Sequence, residues 1–287
     1  MRIHIRHDTR YTYDRPVFIE PTSVRLTPRE DATQRLIRHE ITFDPPPEGV
    51  SECVAHDGST ERILWFSGER AAITIHATSI VETLRANPFD YIITHAPARE
   101  LPVSYPPAMR DALAAYTAGA PAHESVVAWS ERYAAETGRD TAAFLMRLAE
   151  VVHGSFHVIE RLDGDPFDAA ATLEGREGAC RDVAMLYVEA CRVQGLAARF
   201  VSGYSVHNPP ETTQHELHAW AEVYLPGGGW RAFDPSLGLA VADGHVALTS
   251  GPDHRLAAPV TGSYRGTGAS SALAYDIHIR AEDAEGA

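Results

Sequence analysis

Gly175-Arg176-Glu177-Gly178-Ala179-Cys180-Arg181-Asp182 leads directly into an apolar, helix-forming run that continues to Gln194. Gly178 permits a backbone turn that most residues cannot make, so the pattern predicts a loop turning into a helix whose first turn holds Cys180. Unpaired N–H groups and the positive dipole end favour an anion there, which lowers a thiol pKa. The thiolate is the form that attacks a carbonyl carbon. The competing reading is a small buried cysteine, as most free cysteines are. Cys191 supplies the control: Ala184, Tyr187, Val188 and Cys191 follow helical core spacing, so Cys191 reads as packing. Cys53, in a β segment, reads the same way.

A cysteine nucleophile needs a base, and the base needs an orienting acceptor. With 15 histidines in the chain, a lone one says little. His218 stands out because His218-Ala219-Trp220-Ala221-Glu222-Val223-Tyr224-Leu225 reads as a strand. Pro226-Gly227-Gly228-Gly229 reads as a turn, and Trp230-Arg231-Ala232-Phe233-Asp234-Pro235 as the returning strand. Pairing Leu225 with Trp230 would put Asp234 on the face away from His218. Pairing Tyr224 with Trp230 makes His218 and Asp234 diagonal neighbours on one face, and this second register is the expected one. Asp234-Pro235 also suits an ordinary turn opening.

Two metal patterns fail. His215-Glu216-Leu217-His218 has its histidines three apart rather than four, and in a strand they face opposite ways. Asp163, Asp165 and Asp168 hint at a calcium loop but lack its terminal bidentate Glu. No metal and no cofactor is expected.

Upstream, residues 1–100 read as short strands. Ile3, Ile5, Tyr11 and Tyr13 alternate, as do Ile37, His39, Ile41 and Phe43, and then Ile73, Ile75, Ala77 and Ser79. Such strands with turns between them suggest an antiparallel β-sandwich. Pro97 to Pro107, with four prolines, reads as a linker. Residues 101–287 then show helical spacing over Pro106–Ala118, His123–Glu136 and Thr141–Gly154. A return to period two follows, through Leu196–Val206, Leu217–Leu225, Trp230–Asp234 and Leu273–Arg280, which is an α+β pattern. Thr261–Ser271 reads as a loop.

Composition excludes several classes. Apolar residues at 44% and charged residues at 22% fit a globular protein with real cores. The net charge of −14 disfavours nucleic acid and anionic membranes as partners. No window suits a membrane span and the first residues lack a secretory h-region. Three cysteines are too few and too odd for a disulfide framework, so a reducing cytoplasm is expected.

Taken together, Gly178-Ala179-Cys180-Arg181-Asp182, Phe200-Val201-Ser202-Gly203-Tyr204, His218 to Tyr224, Trp230 and Asp234-Pro235 resemble the bacterial transglutaminase-like family. Arg6-His7-Asp8-Thr9-Arg10-Tyr11-Thr12-Tyr13 resembles the β domain preceding that core in many members. The resemblance implies a papain-like α+β core behind a β-sandwich, with Cys180 as nucleophile, His218 as general base and acid, and Asp234 as orienter. It implies a peptide or protein substrate and leaves the oligomeric state open. Unlike calcium-activated transglutaminases, this chain has no Trp between Trp129 and Cys180 to serve an oxyanion. The Cys180 N–H can be one donor, with His157 a candidate for the second. Arg181 stands where many relatives carry Gln. The expected reaction is hydrolysis of an amide or isopeptide bond through a thioester. Amide exchange onto an amine is the alternative, and a catalytically silent binding module is a second one.

Overall fold

The computed structural model describes residues 1–119, 121–161, 164–207 and 215–282. The first unit forms from strands because its apolar residues alternate. Along β1 (Arg2–Ile19) the inward positions Ile3, Ile5, His7 and Thr9 are buried between exposed or half-buried neighbours. After β1 come β2 (Thr22–Val24), β3 (Gln34–Asp44), β4 (Gly49–Val54), β5 (Thr60–Trp65) and β6 (Glu69–Thr83).

The second unit begins with α1 (Pro107–Ala112), α2 (Ala114–Thr117), α3 (Glu124–Glu136) and α4 (Thr141–Ser155). Then follow β7 (His157–Val158), α5 (Ala169–Gly175), β8 (Glu177–Gly178) and α6 (Cys180–Val193). The strands β9 (Ala198–Ser205), β10 (His218–Leu225), β11 (Gly229–Asp234), β12 (Leu239–Ala240) and β13 (His245–Gly251) make one antiparallel sheet, ordered β12-β11-β10-β9-β13. The chain closes with β14 (Val260–Thr261), β15 (Tyr264–Arg265) and β16 (Ser271–Glu282).

Those last strands do not stay with the second unit. β15 and β16 pair with β1, and β14 pairs with β2, so the two sheets of the sandwich run β15-β1-β6-β3, with β16 on β1, and β14-β2-β5-β4. A division at residue 100 therefore fails to describe residues 260–282. Alternation identifies a strand without naming its partner, and here hydrogen bonding carries the end of the chain back to its start. Residues 261–271, read as loop, contain two of these short pairings.

The proline-rich segment is not a free linker either. Leu101, Val103 and Tyr105 are buried in the helical core, and Tyr105 donates to the Tyr224 carbonyl at 2.8 Å. The units share a core as well: Ile3, Leu64 and Ile75 pack with Tyr204, Val246 and Leu248. At their junction Glu222 of β10 receives Arg29 at 2.7 Å and Arg199 at 2.6 Å, all three side chains buried. Cys53 corrects another expectation, since β4 is an exposed edge strand and its thiol faces outward. Cys191 is fully buried in the helical core, and burial pushes its thiol well above the ordinary range.

Candidate active site

The site is built on the N-terminus of α6. Val183, Leu186, Tyr187, Val188 and Cys191 are fully buried, Tyr187 stacking on Phe233 of β11 and donating to the Leu145 carbonyl at 2.9 Å. Each such side chain contributes roughly 1.5–3 kcal/mol. That outweighs the ~1 kcal/mol forgone by having Ala179, which has no side-chain acceptor, at the N-cap. Only half a capping box exists: Asp182 Oδ2 accepts from the Ala179 N–H at 2.6 Å. Asp182 Oδ1 receives Arg161 at 2.5 Å and the Phe167 N–H at 2.7 Å, tying the preceding loop onto the helix.

Gly178 matters for a reason different from turn geometry. A Cβ there would stand 2.7 Å from that of Asp182, so the residue is small because the clamp crosses it. The left-handed residue of this stretch is Arg176, at φ 48°. Cys180 is the first residue of α6 and partly accessible. Its N–H has no intrahelical acceptor, as at every helix start.

The hairpin adopts the register that brings His218 and Asp234 together. Tyr224 pairs with Trp230 and Ala221 with Phe233, so Asp234 lies beside Trp220, diagonal to His218. His218 Nε2 donates to Asp234 Oδ2 at 2.6 Å. Burial presses the His218 pKa down. The charge and hydrogen bond of Asp234 and the adjacent Cys180 thiol overcome that and hold it well above the ordinary imidazole value. With Nε2 engaged, Nδ1 is the nitrogen left for the thiol. Asp234 is fully buried, and burial opposes its ionisation, but His218 and His245 keep it well below the usual carboxylate range.

His245 is the residue that sequence reading missed. Its Nε2 donates to the same Oδ2 at 2.9 Å from β13, a strand not expected from the sequence. The only signal was its place at the head of the alternating run His245–Gly251. The geometry needs Gly203, opposite His218 on β9. A Cβ there would lie 2.1 Å from the Val246 carbonyl and 2.6 Å from the Trp220 ring. The rings of His218, Trp220 and His245 pack with centroids 5.1–6.1 Å apart, walling Asp234 from water.

Among the described residues, His218, Asp234 and His245 form a three-residue cluster whose ligand atoms lie within 4.8 Å of one another. Ligands around a tetrahedral zinc stand about 3.4 Å apart, whereas His218 and Asp234 meet at 2.6 Å. The spacing is that of a hydrogen-bonded chain. Asp163 lies outside the described residues. Asp168 is the N-cap of α5, accepting from the Ala170 N–H at 2.9 Å. His157 is exposed on β7, across from Glu177.

A second polar cluster rims the site. Tyr275 of β16 donates to Glu216 Oε1 at 2.7 Å, two residues before His218. Burial first, and then a hydrogen bond with Glu160, pushes the Glu216 carboxyl up to about 7 against the pull of Tyr275 and Arg181. A separate cavity of about 730 Å³ lies on the outer sandwich face, where Arg6, Arg38 and Arg280 are paired with Asp276, Glu40 and Glu282.

A helix-borne cysteine facing a histidine and an aspartate on a β-hairpin defines the papain-like class of α+β fold. Residues 3–82 match the bacterial transglutaminase-like N-terminal region, and residues 128–235 match the transglutaminase-like superfamily core. The chain belongs to that superfamily, a cysteine-dependent enzyme family. It is similar to an uncharacterized protein of Mycobacterium leprae, at 24% identity over 94% of this chain and 95% of the relative. An uncharacterized Mycobacterium tuberculosis protein is 27% identical over 91% and 87%. A solved structure of a candidate cysteine protease from Cytophaga hutchinsonii superposes with a TM-score of 0.70 at 21% identity, covering 99% of this chain and 92% of that one. That likeness is one of fold. No helix among the described residues is long and apolar enough to cross a membrane.

Proposed function

We propose that Cys180, His218 and Asp234 form a catalytic triad that hydrolyses an amide or isopeptide bond through a thioester. The observation that carries the reading is His218, bound to Asp234 at 2.6 Å and adjoining the Cys180 thiol. The Cys180 thiolate attacks the carbonyl carbon, and the oxyanion is met by the Cys180 N–H. As the C–N bond breaks, imidazolium His218 gives its proton to the leaving amine. His218 then takes a proton from water, the hydroxyl adds to the thioester, the C–S bond breaks, and a free acid leaves. Asp234, walled from solvent, keeps Nε2–H pointed at itself and Nδ1 toward the thiol.

Peptides or proteins are the substrate class, and a reducing compartment such as the cytoplasm suits three unpaired thiols. Amide exchange shares the first half of this cycle. Water is favoured because the site is a simple thiol centre partly open to solvent. Mass spectrometry of a peptide library treated with the protein, with and without a primary amine, tests the choice. Free acid is the expected main product; capture of most acyl groups by a dilute lysine-containing acceptor would overturn it.

A further inference from the structure

Asp234 accepts five hydrogen bonds. Oδ1 takes the Ser236 N–H at 3.0 Å, the Ser236 hydroxyl at 2.6 Å and the Leu237 N–H at 3.3 Å. Oδ2 takes His218 at 2.6 Å and His245 at 2.9 Å. An ionised carboxylate only accepts, so both imidazoles present Nε2–H. His245 then carries a lone pair on Nδ1, and among the described residues that buried atom has no hydrogen-bond partner. Burial, with His218 and His207 adding to it, lowers the His245 pKa despite Asp234, which favours the neutral ring. A buried unpartnered nitrogen is a cost that Phe or Leu would avoid. The compensating gain on this ring is its one bond to Asp234.

We propose that His245 is a positioning residue of the acyl-transfer centre: its Nε2–H fixes Asp234 Oδ2 and takes up part of the carboxylate's charge, so that His218 can release its proton to the leaving amine. The proposal rests on the reading of Cys180, His218 and Asp234 given above. The groups facing the two imidazoles are Asp234 from β11, Cys180 from α6, and His207 beyond β9. Their signs decide the direction. A carboxylate with one donor fewer draws harder on the remaining imidazolium, so loss of His245 raises the pKa of His218 and makes it a poorer acid.

The test follows His218 and His245 by ¹⁵N chemical shift against pH in the full chain, beside turnover. In His245→Phe the His218 titration should move up by roughly half a unit or more, with kcat reduced and KM little changed. His245→Gln keeps a neutral N–H donor at the same reach and should restore both. In the wild-type chain His245 should show the neutral Nε2–H form at neutral pH. That spectrum tests the proposal even where the Phe variant fails to fold. An imidazolium or Nδ1–H form of His245, an unmoved His218 titration in folded His245→Phe, or a Gln variant as impaired as Phe would each overturn it. Failure of the underlying reading would instead appear as turnover surviving in Cys180→Ala, while the ¹⁵N titrations need no substrate and stand apart from it.

Discussion

Glu222 and Asp234 sit on neighbouring strands, both buried and both ionised, yet they are held by different kinds of hydrogen-bond donor. Glu222 lies between Arg29 and Arg199, whose charge does not vary within any ordinary pH range. Asp234 lies between His218, whose proton moves during the reaction, and His245, a neutral N–H donor. The same side-chain chemistry thus acts as cement at the junction of the two units and as a working part only two residues along the neighbouring strand, since Glu222 pairs with Ala232. Partner choice, rather than burial or charge, separates the two roles.

That contrast can be broken at several points. The largest effect should come from Cys180→Ala, which removes the nucleophile and should bring turnover to background, with His218→Ala close behind at a loss of about 10⁴-fold or more. Product mass spectrometry reads both. Asp234→Ala should cost about 10²–10⁴-fold in kcat, because His218 loses its acceptor and its orientation while nucleophile and base remain. An unchanged kcat/KM would reduce Asp234 to a turn residue.

Glu222→Gln should behave in the opposite way. It leaves Arg29 and Arg199 buried without their shared anion, so denaturant titration should show a loss of about 3–5 kcal/mol, while kcat of the folded fraction holds. Burial alone would raise the Glu222 pKa, but Arg199 and Arg29 draw it down to about 2, below its ordinary 4.5. A depressed carboxylate stabilises the fold fully above its unfolded pKa. That contribution, on the order of 3 kcal/mol, should be lost as pH falls from about 4.5 through about 2. Glu222→Gln should flatten that part of the acid-stability curve.

Thiol labelling gives a smaller contrast. At neutral pH Cys180 should alkylate fastest, about tenfold above Cys53, with Cys191 protected until unfolding. Faster labelling of Cys53 or Cys191 in the folded chain would contradict the assigned nucleophile. The smallest effect is none: a chelator should leave turnover unchanged, and specific rescue by zinc or calcium would make the histidine–carboxylate cluster a metal site after all.

Local patterns made much of this legible. The run after Gly178 placed Cys180 on a helix start, and the turn at Pro226–Gly229 limited the hairpin to two registers, of which chemistry favoured the observed one. His245 was not legible, because β13 reaches the site through sheet order, and Thr249, which pairs with Ser202 past a bulge, carries no sign of that in its sequence. α5 was hidden in a stretch rich in Gly and Asp, where short helices rest on caps such as Asp168 more than on periodicity. The return of β16 was illegible for the same reason as β13. Strand identity is local, but pairing is not.

That return has a consequence for how the protein is made. Arg2 pairs with Glu282 and Tyr13 with Ser271, so β1 waits until β16 has been made before one of its edges is satisfied. The late strand also bridges His215 through Ile277 and delivers Tyr275 to Glu216, bracing the approach to His218. A nascent chain halted before residue 271 would carry the cysteine helix but not this brace, with an open edge on β1 available to any neighbouring strand. Activity should therefore wait on the docking of β16, and a chain halted or cut before it should be inert and prone to aggregate rather than partly active.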